Sequence, residues 1–281
     1  MRDINAKKIA ETVSQLFYDA SFFLTGDVLD AIKKARETEK SPVARDVLER
    51  IIENASIAAE EKIPLCQDCG TAVVFLEIGQ EVHISGGDLY TAVTEGVREA
   101  YDKGYLRKSM VNQPFSARVN TKDNTPPVIY TDIVPGDKLK ITVVPKGGGA
   151  ENMSRLGMLT PASGREGIIN FVVQAVDAAG SNPCPPVIVG VGIGGTAERT
   201  LLMAKKALLR KIGEHNPDPE VAELEKELME QINRLGIGPQ GFGGSTTALA
   251  VNVEVFPSHI ASMPVAVNLN CHSARHKEAI I

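Results

Sequence analysis

Residues 184–196, CPPVIVGVGIGGT, contain the stretch that decides the fold. The run from Pro185 to Val191 is apolar and rich in β-branched residues, which is typical of a strand buried on both faces. A series of glycines, Gly190 to Gly195, follows, and the pattern from Thr196 to His215 predicts a helix. A buried strand joined to a helix in this way predicts a mixed α/β protein.

The first part of the chain has the apolar spacing of helices. Ile9, Val13 and Phe17 recur at helical intervals and predict a helix over residues 3–20. Two more helices are expected, over residues 26–38 and 42–62. Thr25 is expected to cap the first of these two, and Pro42 suits the first turn of the other.

The rest of the chain alternates between strand and helix patterns. Residues 126–133 and 138–144 read as strands, and the turn Pro135–Asp137 between them predicts a hairpin. The other predicted helices cover 88–103, 164–178 and 219–234, and the other predicted strands cover 71–78, 246–256 and 263–268.

The predicted fold class is mixed α/β, with a helical entry region packed on a mixed-sheet region. The helical region covers 1–62 and the mixed-sheet region covers 63–281. No repeat or long linker divides the chain, so we expect one catalytic domain over 1–281.

Composition excludes several classes of protein. The 281 residues carry a net charge of −5 and are 43% apolar, as expected of a globular protein rather than a nucleic-acid-binding one. The charged N-terminus, MRDINAKKIAETV, has no apolar core of a secretory signal. No apolar run is long enough to span a bilayer. We therefore expect a cytoplasmic protein without a nucleic-acid or membrane partner.

Three cysteines stand far apart in stretches rich in glycine, proline, asparagine or aspartate: Cys66, Cys184 and Cys271. Three thiolates from distant loops can hold an iron–sulfur cluster and leave one iron without a protein ligand. Lone cysteines are, however, also common as small buried apolar residues. The Cys66–Cys69 pair has the C-x-x-C spacing of half a zinc site or of a redox pair, and these interpretations also stay open.

Other residues are candidates for acid–base chemistry or anion binding. Asp68 could act as a general base or orient another group, and Arg107 could bind a carboxylate through two hydrogen bonds. His259 follows a predicted strand, where a histidine is most often structural. The glycine runs 147–149 and 236–244 would let the main chain approach a ligand closely.

One further glycine pattern suggests a different function. Gly190, Gly192 and Gly195 match the G-x-G-x-x-G spacing of dinucleotide-binding proteins. Such a site also needs an acidic residue at the end of the next strand, about 20 residues on. That region is predicted to be helical here, so a dinucleotide site is not favoured.

The chain resembles the α-type catalytic subunit of the iron–sulfur hydro-lyases, the family of two-subunit class I fumarases and L(+)-tartrate dehydratases. The resemblance covers essentially the whole chain. It rests on five segments in order: PLCQDCG (64–70), KGGGAENMS (146–154), GIGGT (192–196), GIGPQGFGG (236–244) and NLNCHSARH (268–276).

The resemblance implies a role for each matching residue. The ligands of a 4Fe–4S cluster would be Cys66, Cys184 and Cys271. The substrate-binding residues would be Gln67, Arg107, Gly148 and Gly149, and the catalytic residues would be Asp68 and His259. The family pattern has threonine where this chain has Cys69, so Cys69 is either a neutral substitution or an alternative ligand.

The resemblance also implies a reaction and a partner. The expected reaction is the reversible hydration of fumarate to (S)-malate, with the open iron as a Lewis acid. The alternative is an L(+)-tartrate dehydratase or a related dehydratase of hydroxy-diacids. A separate β subunit is expected to complete the active site for the small dicarboxylate, in an α2β2 assembly. The alternative of another class is a non-catalytic zinc or iron–sulfur protein with a sensing or structural role.

Overall fold

In the computed structural model, which describes residues 1–281, contacts group the chain into two units. Unit 1 consists of Met1–Leu24, Ala55–Gly148 and Arg275–Ile281. Unit 2 consists of Thr25–Asn54 and Gly149–Ala274. Each unit has its own apolar core. The prediction of one catalytic domain over the whole chain stays a prediction.

The elements follow one another as strands β1–β10 and helices α1–α8. In chain order they are β1 (Arg2–Asn5), α1 (Ala6–Phe22), α2 (Gly26–Thr38), α3 (Pro42–Glu61), β2 (Thr71–Gly79), β3 (Val82–Ser85), α4 (Leu89–Lys103), β4 (Val128–Val134), β5 (Leu139–Lys146), α5 (Gly148–Glu151), β6 (Arg155–Leu159), α6 (Gly164–Ala179), β7 (Val187–Gly194), α7 (Ala197–Ala207), α8 (Pro219–Arg234), β8 (Ala248–Phe256), β9 (Met263–Asn270) and β10 (Lys277–Ile280).

The helix predicted over 26–38 has the observed bounds of α2, but its predicted cap is wrong. Thr25 stands at the N-cap position, yet its hydroxyl oxygen is buried without a hydrogen-bond partner. The helix start instead has a carboxylate in its first turn, Asp27, which complements the helix dipole.

The main sheet of unit 1 has the strand order β10–β5–β2–β4. Strand β2 pairs in parallel with β4 and antiparallel with β5. The predicted hairpin of β4 and β5 is therefore wrong, because β2 lies between these two strands in the sheet. All residues of β2 from Ala72 to Leu76 are buried, so a central position covers its apolar side chains on both faces.

Two helices of unit 1, α1 and α4, pack closely against each other. Asn5 and Asp88 cap them by accepting the main-chain N–H groups of Lys7 and Thr91. A Cβ atom at Gly96 of α4 would lie 2.5 Å from the carbonyl oxygen of Ala10 in α1. Glycine is required at this position because the two helix backbones are in contact.

Unit 2 contains a sheet in the order β6–β9–β7–β8, in which β7 is parallel to β8 and antiparallel to β9. Helix α7 packs directly on β7. A Cβ atom at Gly190 would lie 2.0 Å from the carbonyl oxygen of Ala204, and one at Gly192 would lie 2.2 Å from that of Thr200. These glycines therefore allow a helix to approach the strand, which explains the G-x-G spacing without a nucleotide.

The residues of β7 that alternate with these glycines face the core of unit 2. Val189 and Val191 are fully buried and share this core with Val172 of α6 and Leu228 of α8. The predicted mixed α/β class, with helices near the N-terminus and mixed sheets, is confirmed. None of the helices combines the length and the apolar character that crossing a bilayer requires.

Candidate functional site

In unit 1 the residues 66–70 form a loop that leads into β2. Cys66 and Asp68 are half-buried, and Gln67 is exposed. The loop begins just after Leu65, whose N–H donates to the carbonyl of Ser21 at 2.9 Å. The start of the loop is thereby fixed to α1.

The Asp68 carboxylate is held by main-chain N–H groups. Its Oδ1 accepts from Gly70 at 2.9 Å, and its Oδ2 accepts from Gly148 at 2.7 Å. A Cβ atom at Gly147 would lie only 3.3 Å from Oδ2. The glycines at 147 and 148 thus let the main chain reach this carboxylate, which fixes its direction while each oxygen keeps a lone pair.

Two buried side chains fasten the far end of the same loop. The Tyr101 hydroxyl donates to the carbonyl of Cys69 at 2.6 Å, and the Asn124 amide donates to that of Gly70 at 3.1 Å. Asn124 also accepts the N–H of Ser109 at 2.7 Å. Burial raises the pKa of Tyr101, so its hydroxyl stays protonated and remains a donor. Asn124 therefore links the 66–70 loop to the segment that follows Arg107.

Cys69 makes a second link between these two segments. Its side chain is buried, and its Sγ accepts the main-chain N–H of Arg107 at 3.2 Å. Burial raises the pKa of the Cys69 thiol, which disfavours the thiolate that a metal ligand must form. The geometry supports a structural role for Cys69 rather than the role of an alternative ligand.

Threonine at position 69 should preserve this link, because its hydroxyl can also accept the N–H of Arg107. We expect the Cys69→Thr variant to unfold within about 1 kcal/mol of the parent protein. The Cys69→Val variant has nearly the same shape as Thr without the hydroxyl, and it should lose about 1–3 kcal/mol. Urea unfolding of the two variants measures the difference, and equal stability of the two would contradict the proposed link.

Unit 1 therefore brings together several of the residues that the sequence singled out. The loop containing Cys66, Gln67 and Asp68 contacts the main chain of Arg107 through Cys69, and that of Gly148 through Asp68. The Arg107 side chain itself is exposed. Gly149 belongs to unit 2, where a Cβ atom would lie 3.1 Å from the carbonyl oxygen of Asn182.

In unit 2 the other two candidate ligands lie at neighbouring ends of the two inner strands of the sheet. Cys184 precedes β7, Cys271 follows β9, and Ile188 of β7 pairs with Asn270 of β9. The N–H of His272 donates to the carbonyl of Cys184 at 3.3 Å. The loops that carry the two thiols are thus neighbours, because antiparallel strands bring the end of one next to the start of the other.

Cys184 has an unusual main-chain conformation. Its φ angle is +56°, a region that residues other than glycine rarely adopt, and its N–H donates to the carbonyl of Ser181 at 3.0 Å. The residue is exposed. A strained turn that exposes a thiol is consistent with a functional role for that thiol.

Gln240 supports the Cys184 turn, a role that its place in a glycine-rich segment does not indicate. Its main-chain N–H and its Nε2 both donate to the carbonyl of Pro185, at 2.8 and 2.9 Å. Nε2 also lies 2.9 Å from Nδ1 of His272, next to Cys271. The loop 236–244 therefore supports the two cysteine segments of unit 2 with a side chain.

The end of this glycine loop is held by a buried carboxylate, Glu39. Its oxygens accept the N–H and hydroxyl groups of Ser245 and Thr246, and the N–H of Ser41 at 3.1 Å. Burial by itself raises the pKa of Glu39, but these hydrogen bonds outweigh it and leave the pKa below its usual value. Glu39 thereby fixes the segment that continues into β8.

Replacing Glu39 with glutamine should destabilise the protein by about 1–3 kcal/mol at pH 7, because an amide nitrogen then faces N–H donors. The lowered pKa means that the carboxylate contributes stability above the unfolded-state value, about 4.3, and loses it as pH falls through the folded-state value. The difference between the parent and Glu39→Gln should therefore shrink in acid. Denaturant unfolding at pH 7 and pH 4 tests this, with the exposed Glu37→Gln as the control that should change neither value.

The structure places His259 away from the two thiols of its unit. His259 lies between β8 and β9, lines a cleft of about 780 Å³, and accepts the N–H of Ala261 at 3.1 Å. Cys271 follows the other end of β9, an eight-residue strand that is roughly 25 Å long. The catalytic role of His259 stays a prediction, because the length of β9 lies between its loop and Cys271.

The candidate ligands are free thiols. None of the four cysteines forms a disulfide, and Cys184 and Cys271 stand in adjoining loops. Neither unit by itself arranges three histidine, cysteine or carboxylate side chains around one metal ion. Free thiols in adjoining loops, such as those of Cys184 and Cys271, are the type of donor that an iron–sulfur cluster uses.

Comparison with known proteins agrees with these features. The family model of fumarate hydratase (Fumerase) matches residues 10–280. The chain belongs to the fumarate hydratase family. Its members are hydro-lyases, so the expected class of enzyme is confirmed.

Several relatives of this member of the fumarate hydratase family are named for tartrate rather than fumarate. The putative L(+)-tartrate dehydratase subunit alpha of Methanocaldococcus jannaschii is 45% identical over 273 residues, which cover 95% of each chain. The L(+)-tartrate dehydratase subunit alpha of Escherichia coli O157:H7 is 34% identical over 278 residues, 98% of this chain and 91% of that protein.

Proposed function

We propose that the chain is the α-type subunit of an iron–sulfur hydro-lyase that dehydrates L(+)-tartrate or a closely related hydroxy-diacid. The observation that carries the proposal is the arrangement in unit 1, where two N–H groups orient the Asp68 carboxylate beside the segment of Arg107. Family membership supports hydro-lyase chemistry. The names of the relatives support tartrate as the substrate, rather than the fumarate that was first expected from the resemblance.

The proposed ligands of a 4Fe–4S cluster are Cys66, Cys184 and Cys271. We leave Cys69 out of this set, and its buried thiol, which accepts the N–H of Arg107, supports that choice. When bound, such a cluster supplies an iron with an open position, a Lewis acid toward the hydroxyl group that leaves.

Asp68 is the proposed general base. Dehydration of a hydroxy-diacid requires removal of a proton from the carbon next to a carboxylate, while hydroxide leaves from the neighbouring carbon. The N–H groups of Gly70 and Gly148 hold the Asp68 carboxylate in one orientation and leave a lone pair on each oxygen for that proton. Because the carboxylate need not reorient, the proton transfer costs little reorganisation.

Arg107 and Gln67 are the proposed substrate-binding side chains of unit 1. Both are exposed, and the main chain of Arg107 is fixed by Cys69. A guanidinium can bind a carboxylate with two parallel hydrogen bonds, which sets the orientation of the diacid as well as its affinity. Gly148 contributes through its main chain, which orients Asp68, and Gly149 is proposed as a main-chain contact to substrate.

The hydration of fumarate is the second candidate function. The description of the matching family favours it, and the chemistry at Asp68 would be the same in reverse. The two candidates differ in the product of dehydration. Malate gives the unsaturated diacid, whereas tartrate gives an enol that rearranges to a 2-oxo diacid.

A separate β-type subunit is the proposed partner, because relatives of this chain are named subunit alpha. We propose that it completes the site around the dicarboxylate and that the assembly is α2β2. Mass measurement of the purified complex tests the stoichiometry, and an α chain that reaches full activity by itself would contradict the need for a partner.

The decisive experiment compares substrates. The chain is purified without oxygen together with a β-type partner, supplied with iron and sulfide, and assayed with L(+)-tartrate and with (S)-malate. We expect kcat/KM for tartrate to exceed that for malate by at least about tenfold, which corresponds to about 1.4 kcal/mol. A preference for malate would identify a fumarase instead. A colourless protein with one bound zinc and no activity would support the non-catalytic alternative.

A further inference from the structure

A buried arginine of unit 1, Arg275, has most of its hydrogen-bonding capacity unused. Its side chain is 3% exposed. Nη2 donates to the carbonyl oxygen of Asp68 at 2.7 Å, whereas Nε and Nη1 have no hydrogen-bond partner. A guanidinium has five N–H bonds, so the three on Nε and Nη1 remain available.

An arginine in this situation requires a compensating anion. The guanidinium stays charged at any ordinary pH, and a buried charge without a counter-ion is strongly unfavourable. The N–H groups of Gly70 and Gly148 fix the direction of the Asp68 carboxylate. Arg275 donates to the main-chain carbonyl of Asp68 rather than to this carboxylate. The carbonyl of Asp68 offers only a partial negative charge. The unused N–H groups therefore point to an anion that comes from outside the protein's own side chains.

The guanidinium lies close to the proposed general base, with a glycine next to both groups. A Cβ atom at Gly147 would lie 3.7 Å from Nη2 of Arg275 and 3.3 Å from Oδ2 of Asp68. A side chain at position 147 would therefore contact both groups. Glycine at 147 lets the main chain, the Asp68 carboxylate and the Arg275 guanidinium lie next to one another.

We propose that Arg275 binds an anion beside the segment Cys66–Asp68. One nitrogen holds the main chain of Asp68, and the other N–H groups donate to the anion. Two sources share this chemistry, a carboxylate of the dicarboxylate substrate and the sulfur anions of a cluster. The inference rests on the proposed function for the identity of both sources, and the experiment has one arm for each.

The first arm uses the chain in complex with a β-type partner, without a cluster, and L(+)-tartrate as the probe. The variants are Arg275→Gln, Arg275→Lys and the control Arg118→Gln, whose exposed guanidinium also donates to a single carbonyl, that of Pro114. If the anion is the substrate carboxylate, calorimetry should show tartrate binding that weakens about 10–100-fold in Arg275→Gln and is partly restored in Arg275→Lys. Arg118→Gln should bind like the parent.

The second arm uses the same proteins after anaerobic reconstitution with iron and sulfide. If the anion is the sulfur of a cluster, Arg275→Gln should lose iron in air at least about tenfold faster than the parent and shift its reduction potential. Tartrate binding in the first arm would then be unchanged. Should Arg275→Gln fail to fold, Arg275→Lys carries the same comparison, because it keeps the charge but loses the fork of donors.

The outcomes separate this inference from the proposed function. The inference alone is overturned if the parent chain forms a cluster and both Arg275 variants behave like the control Arg118→Gln. This means the same tartrate affinity in the first arm and the same rate of iron loss in the second. A parent chain that takes up no cluster contradicts the proposed function, and the tartrate arm then still decides the role of Arg275. A parent chain that binds neither tartrate nor a cluster overturns both.

Discussion

Replacing Cys184 with glycine is expected to abolish cluster binding without unfolding the protein. Loss of one of three thiolates leaves too few ligands to hold the cluster, so the reconstituted variant should lose its visible absorbance and its bound iron almost completely. The φ angle of +56° at this position suits glycine, so thermal stability of the metal-free chain should stay within about 1 kcal/mol of the parent or rise.

Cys184→Ser and Cys69→Thr complete this experiment. Serine removes the thiolate while keeping a polar side chain, and it should lose the cluster as glycine does. Threonine at position 69 removes a thiol that holds Arg107 rather than a metal, so that variant should bind iron like the parent. An iron-free Cys69→Thr protein, or an unchanged spectrum in Cys184→Gly, would show that the ligand set is wrong.

Replacing Asp68 with asparagine should lower kcat by about 10²–10⁴-fold while the cluster spectrum is retained. The amide keeps one oxygen to accept an N–H from Gly70 or Gly148, so the loop loses one hydrogen bond and not both. It cannot take a proton from substrate. The loss should therefore appear in kcat, with a much smaller change in KM.

Two controls show whether the lower kcat of Asp68→Asn comes from a disturbed structure instead of the lost base. The exposed Asp137→Asn variant, in a turn of the same unit, should keep full activity. The iron content of Asp68→Asn should equal that of the parent. If Asp68→Asn turns over tartrate within a few fold of the parent, Asp68 is not the general base.

The sequence was most informative where local pattern decides the structure. Helices α2 and α8 have nearly the bounds that apolar spacing and their flanking residues predict. The position of β2 between β4 and β5 was missed, because pairing between strands depends on contacts that are distant along the chain. A short turn between two strands suggested a hairpin, whereas the burial of β2 on both faces determined the order.

The candidate site shows the same division. Residue types and order pointed to Asp68 and the three thiols, but not to the residues that position them. The positioning side chains donate to main-chain carbonyls, and they are Tyr101, Asn124 and Gln240. Every residue has such a carbonyl, so the spacing of residue types does not predict these contacts. The separation of His259 from Cys271 was equally invisible, since twelve residues can form a turn or span a sheet.

The order of strands in unit 1 has a consequence for synthesis on the ribosome. Strand β10 pairs with β5, yet its residues leave the ribosome only after the whole of unit 2 has been made. Until then one side of β5 carries unpaired N–H and carbonyl groups, a surface that can recruit strands from other nascent chains. Arg275 arrives with the same late segment, so the loop of Asp68 receives its guanidinium contact only when that edge is closed.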